Sequence, residues 1–169
     1  LRDKGVIEYV EAARALKFTC PQAAFHLVGP LDSNPSGINA DIVSGWVKEG
    51  VVQYHGAVSD VKPHLAACSI FVLPSYREGT PRSVLEAMSC GRAIITTDAP
   101  GCRETVQDGV NGLLVRPRDS ADLATAMTRL AGSSELREQM GRTSRELAEQ
   151  KYDVHRVNAA MIEAMELRG

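Results

Sequence analysis

A chain of 169 residues, 44% of them apolar and 24% charged, is long enough to bury one proper hydrophobic core and make about one domain. Its formal net charge of −2, with bases scattered among acids and few aromatics, argues against a nucleic-acid-binding surface. No apolar run reaches the length of a membrane span, and the first residues lack a signal-peptide pattern. Cys20, Cys68, Cys90 and Cys102 are spaced neither as a disulfide framework nor as a zinc site, so reduced, mostly core thiols of a cytosolic protein are expected.

From the N-terminus, Lys4-Gly5 leads into a helical pattern in which Val6, Tyr9, Val10, Ala13 and Leu16 share one face. Pro21 breaks it, and residues 24–29 (Ala-Phe-His-Leu-Val-Gly) read as a buried strand. Residues 30–38 are a polar loop. Asn39 or Asp41 starts a helix that runs to about Glu49 and closes at Gly50. Residues 51–56 form the next strand, after which Asp60 caps a short helix with Pro63 in its first turn.

The apolar run 69–74 is a short buried strand ended by Pro74. Ser75, Tyr76 and Arg77 make a turn, Thr80 is a good N-cap, and Pro81 suits the first helical position, where a missing N–H costs nothing. Val84, Leu85 and Met88 give that helix its apolar face. A strand at 93–97 ends in a Pro100-Gly101 turn, and a short helix is expected from Arg103 to Val106. Asp108-Gly109 and Asn111-Gly112 are turn signals before a last strand at 113–115. Helices at about 120–131, 135–150 and 154–167 follow, the second read as an exposed helix with ion pairs at four-residue spacing. Short apolar strands alternating with helices predict an α/β fold: a Rossmann-like, doubly wound parallel sheet with helices on both faces.

In such sheets ligands bind at the carboxyl ends of the strands, which is where the loop around Glu78 lies. A strand, a short glycine-bearing loop and a helix start present free N–H groups to whatever sits above the sheet, and a phosphate suits that place. Two carboxylates flank it, Glu78 in the turn and Glu86 in the helix, with seven residues between them. Taken singly each has a plain structural reading, since an acid near a helix N-terminus is favourable by the macrodipole alone. His26, His55, His64 and His155 are scattered and read as structural. Arg82 and Arg103 suit phosphate or sugar contact and a solvated helix face equally well.

The stretch Glu78-Gly79-Thr80-Pro81 followed by Leu85-Glu86-Ala87-Met88-Ser89-Cys90-Gly91 closely resembles the motif of the retaining glycosyltransferases of GT-B fold, the "glycosyl transferases group 1" family. The likeness continues at Lys4-Gly5, Leu27-Val28-Gly29, Gly56-Ala57-Val58, Val72-Leu73-Pro74-Ser75, Thr97-Asp98-Ala99-Pro100-Gly101, Asp108-Gly109-Val110-Asn111-Gly112 and Tyr152-Asp153. It thus covers essentially the whole chain. An epimerase of similar fold lacks the Glu-Gly-x-Pro signature, and a receiver-like module would need clustered aspartates at its strand ends that are not visible.

The resemblance implies the C-terminal, donor-binding half of a GT-B fold. Residues 1–150 would be the nucleotide-sugar-binding domain, its first strand and an arginine falling upstream. Residues 151–169 would return toward an N-terminal acceptor domain. It implies transfer of a sugar from a nucleotide diphosphate sugar, expected to be UDP-linked, to a polysaccharide or lipid-linked acceptor of a bacterial surface, with retention at the anomeric carbon. Glu78 would stabilise the donor sugar's positive character. Lys4 and the Gly79, Thr80, Pro81 and Arg82 segment would hold the diphosphate. Glu86 would take both ribose hydroxyls, and Gly56 and Val58 would border the base. No metal and no further cofactor is implied, no nucleic-acid partner either, and the intact enzyme would stand in the cytoplasm, peripheral to the inner membrane face.

Overall fold

The computed structural model describes residues 2–31, 37–153 and 162–163. A single 3₁₀ turn, Arg2–Lys4, precedes α1 (Val6–Thr19). Then come β1 (His26–Leu27), α2 (Ala40–Lys48), β2 (Gln53–Tyr54), α3 (Lys62–Ala67) and β3 (Ile70–Leu73). The chain continues through α4 (Arg82–Ser89), β4 (Ala93–Thr97), β5 (Gly112–Val115), α5 (Ser120–Ala131) and α6 (Ser134–Lys151). All strand pairings are parallel: β1 with β2, and β3-β4-β5 in that order. Backbone bonds from Gln53 to Phe25, His55 to Leu27 and Gly29 to Gly56 extend the first pairing on either side of its two residues.

Helices cover both faces, as the alternation of strand and helix predicts. Ala93 and Ile95 of β4 face α1 and α5, packing with Val10, Ala13, Leu16, Leu123 and Leu130, while Ile94 faces α4 and α6 with Val84, Met88 and Ala148. The β4 residues are buried throughout, and each large side chain taken wholly from water contributes about 1.5–3 kcal/mol. The β3 run, equally apolar in sequence, is only half-buried along its length. Among the described residues β3 pairs on one side alone, so its other edge and that of β1 stand open.

Several local expectations change. Asn39, not Asp41, caps α2: its side chain accepts from the Ile42 amide at 2.9 Å. Asp60 accepts from the Lys62 amide at 3.0 Å, but the N-cap position of α3 is Val61. Thr80 does not cap α4; Pro81 holds the N-cap position in an extended conformation (ψ 107°) with no side-chain cap, so the helix starts one residue later. A proline needs no N–H there either, and its carbonyl takes the amides of Val84 and Leu85 at 3.0 and 3.3 Å. The helix expected at Arg103–Val106 is a run of turns tied to Ala99 and Cys102. α6 is not an exposed helix, because Met140, Gly141, Ser144 and Ala148 are buried on one side. Gly141 makes this possible, since a Cβ there would lie 2.3 Å from the Gly91 carbonyl oxygen. The expected helix at 154–167 lies outside the described residues except for Ile162 and Glu163, which are helical, and His155 lies outside as well. Most of the polar loop at 30–38 is likewise outside.

Candidate functional site

The carboxyl end of β3 runs through Pro74 into the segment 75–81, and two glycines let neighbouring backbone close on it. Gly5, at φ +69°, approaches so tightly that a Cβ would stand 2.1 Å from the Pro74 carbonyl oxygen. Gly101, at φ +84°, does the same against the carbonyl oxygens of Glu78 and Gly79, both 2.1 Å from a Cβ placed there. No side chain fits either position, and the left-handed φ disfavours one in any case. Backbone bonds fix the same contacts: the Tyr76 amide donates to Asp3 at 2.9 Å and the Glu78 amide to Pro100 at 3.0 Å.

This closure sets Lys4 on Glu78. The Lys4 Nζ donates to Glu78 Oε1 at 2.6 Å, with the carboxylate side chain 12% exposed and the ammonium side chain 42% exposed. An ammonium has three N–H donors, so two remain for a ligand. Beyond Glu78, the amides of Gly79, Thr80, Arg82 and Ser83 donate to no acceptor among the described residues. They lie at or just before the start of α4, and Pro81 between them has no N–H to give. Glu86, in the middle of α4, is exposed and its carboxylate has no partner among the described residues. Arg82 is exposed and unpaired on the same terms.

Lys4 and Glu78 are thus brought together, with the 79–82 segment and Glu86 on the element that follows. Gly56, at φ +67°, and Val58 lie on the connection after β2, and share no hydrogen bond or ion pair with the Glu78 segment. Arg103 is engaged elsewhere, in an ion pair with Asp98 at 3.0 Å. Among the described residues no three metal-binding side chains are grouped to hold an ion. A groove of about 620 Å³ lies between the C-terminal end of α4 and α6, and Glu78 is not part of its lining. Three of its four arginines have structural work: Arg92 and Arg145 donate to carbonyls at the end of α4, and Arg137 to those of Leu130 and Ala131 at the end of α5.

Three features escaped the sequence reading. The Tyr76 hydroxyl donates to Glu8 Oε1 at 2.5 Å, and the Arg118 guanidinium lies 4.6 Å from the centre of the Tyr76 ring. Burial first, then the hydrogen bond to the Glu8 carboxylate, push the Tyr76 phenol up to about 12. His26, His55 and His64 are gathered rather than scattered: His26 Nδ1 and His55 Nε2 are 2.9 Å apart, and the rings of His55 and His64 are 4.7 Å centre to centre. The cysteines are free, but only Cys102 is buried and the other three are half-buried. Nothing in local sequence pattern signals the first two, because both join residues from three separate elements.

The family described as glycosyl transferases group 1 matches residues 1–133. An N,N'-diacetylbacillosaminyl-diphospho-undecaprenol alpha-1,3-N-acetylgalactosaminyltransferase of Campylobacter jejuni is 42% identical over 134 residues, covering 79% of this chain and 34% of that protein. The chain therefore spans about a third of the length of this curated relative. Among solved structures, Anabaena HepE in complex with UDP is 26% identical with a TM-score of 0.86, over 98% of this chain and 46% of that one. The C-terminal domain of LpcC, a glycosyl transferase group 1 family protein of Francisella tularensis, is 27% identical with a TM-score of 0.79. It covers 91% of this chain and 82% of that one.

Proposed function

The chain belongs to the glycosyl transferases group 1 family, in the fold of its C-terminal domain, and from that premise we propose that it binds the donor for a retaining transfer from a UDP-sugar to a bacterial surface glycan or lipid-linked acceptor. The observation that carries the reading is Lys4 seated on Glu78 beside four unused amides at the carboxyl end of a parallel sheet. A nucleoside diphosphate is already a good leaving group, so the site has to offset charge developing on the β-phosphate rather than supply a strong acid. The two free donors of Lys4 and the amides of Gly79, Thr80 and Arg82 are placed for that. Glu78, largely shielded from water, stabilises the positive character of the sugar, and the phosphate oxygen takes the acceptor proton on the same face. Glu86, exposed and unpaired, accepts from the two ribose hydroxyls. Gly56 and Val58 border the base through backbone.

UDP is favoured because HepE is structurally alike and was solved with UDP. Retention agrees with the relative named as an alpha-transferase, since UDP-hexoses carry the α anomer. The same relative's name suggests an acceptor on an undecaprenol diphosphate, bound by an N-terminal domain of the intact enzyme working peripherally at the cytoplasmic membrane face. Among the described residues no helix is long and apolar enough to cross a membrane. The reading also includes a strand of the intact enzyme between the open edges of β1 and β3, which would account for a half-buried β3 with a central-strand sequence. No metal or cofactor takes part in this scheme.

Calorimetric titration of the chain with UDP, GDP and ADP tests it. UDP should bind, and Glu86→Ala should weaken it by about 1.5–3 kcal/mol, as expected when a charged acceptor is removed. Preference for GDP or ADP would replace the assigned base, and an unchanged affinity in Glu86→Ala would remove the ribose role.

A further inference from the structure

Between Ser75 and Thr80 the chain has no helix or strand, yet it must hold Glu78 still. Among the described residues only two side chains in that stretch make polar contacts, Glu78 itself and Tyr76. Arg77 and Thr80 are exposed and contact nothing polar. Ser75 is fully buried with its Oγ unpartnered, and is tied only through its backbone carbonyl. Tyr76 is therefore the one side-chain anchor that does not depend on Glu78. It is held from two directions: its hydroxyl by Glu8 in the first turn of α1, its ring face by Arg118 from the connection between β5 and α5.

We propose that Tyr76, fixed by Glu8 and covered by Arg118, is the positioning residue of Glu78. Each partner is built for that contact. The second Glu8 oxygen is buried without a partner, so its carboxylate is taken out of water while accepting one bond, from Tyr76. Arg118 holds a left-handed backbone (φ 61°) with an ordinary side chain, a conformation that persists only where the surroundings fix it. Its guanidinium has no ion pair among the described residues; the ring is its contact. Tyr76 would act through the backbone rather than on the reacting atoms. It sets the path of the backbone two residues before the carboxylate.

The inference rests on Glu78 facing the donor sugar, so its test has one readout that depends on that reading and one that does not. The independent readout is hydrogen exchange of the amides of residues 76 and 78, which are bonded to the Asp3 and Pro100 carbonyls. Tyr76→Phe and Glu8→Leu should each speed it about tenfold, while Glu8→Gln, which keeps a carbonyl oxygen for the phenol, should stay near wild type. The second readout is a pair of affinities. Tyr76→Phe should weaken UDP-N-acetylgalactosamine about tenfold and UDP less than about threefold, because only the former presents a sugar to Glu78. Glu78→Gln should show the same split. Unchanged exchange at these two amides overturns the proposal, and so does an equal loss for both ligands, the mark of a merely structural residue. Should wild type bind neither ligand, the donor reading falls while the exchange result still decides the positioning role. Thermal unfolding of each variant identifies any that fails to fold, and Glu8→Leu then stands in for Tyr76→Phe.

Discussion

Two glycines near Glu78 look alike in sequence and differ in what requires them. A Cβ at Gly101 would strike the carbonyls of Glu78 and Gly79, whereas a Cβ at Gly79 would meet nothing within 4 Å. Gly101→Ala should therefore lower stability by about 1–2 kcal/mol from its left-handed φ alone, with the clash in addition. Gly79→Ala should leave the stability within about 0.5 kcal/mol of wild type and still weaken UDP, because the added methyl occupies space beside the amides assigned to the diphosphate. Denaturant titration of both variants beside UDP binding separates the two cases. The histidine group supplies a different residue-scale test. Desolvation, then the neighbouring His55 and His64, hold His26 below its ordinary 6.5. The unfolded chain consequently takes the proton first, so stability that is full above 6.5 is lost as pH falls through it. His26 still meets solvent, so the slope is shallow. The unfolding midpoint of wild type should drop between about pH 7.5 and 5.5 more than that of His26→Gln.

At the scale of elements, sequence pattern served well where a helix or strand is defined by its own residues. The short apolar run of β4, the Gly-bounded α2 and the extents of α5 and α6 were all visible, because each rests on local spacing and caps. Asp119 and Ser133, for instance, cap α5 and α6 by accepting the Asp122 and Leu136 amides at 2.8 and 3.2 Å. The failures share a cause. α6 is so rich in charge that its narrow buried stripe, Met140-Gly141, Ser144 and Ala148, was masked by composition. The Arg103–Val106 segment has helical spacing, but Asn111 reaches into it, its amide donating to the Thr105 carbonyl at 3.2 Å and its oxygen accepting from Gln107 at 2.7 Å, and turns result. Tertiary contact overrode local preference in both. Gly141→Leu makes the α6 reading testable: the helix would have to lift from Gly91, at a cost of about 1–3 kcal/mol in chemical denaturation. A fully exposed α6 would show no loss.

For the whole molecule, the family was legible because the motif around Glu78 is contiguous, and the candidate site was expected at the carboxyl edge of the sheet because parallel sheets bind ligands there. What sequence could not supply was the way distant segments converge there. Asp3, Lys4, Glu8, Pro100 and Arg118 all bear on a stretch of six residues, and such convergence is a property of topology. In the intact enzyme, Glu78→Gln should lower turnover about 10²-fold or more while the acceptor's KM stays unchanged, as removal of a transition-state contact does. Steady-state kinetics with acceptor varied at saturating donor checks this, and a change confined to KM would count against the role of Glu78.

The edges of β1 and β3 left open among the described residues have a practical bearing on how this chain behaves in a tube. An unpaired row of backbone N–H and C=O groups is a template, and at high concentration its nearest complement is the same row on another molecule. Sedimentation velocity over a concentration series should then reveal reversible self-association through added strands. A short extended peptide that caps the exposed row should return the chain to monomer.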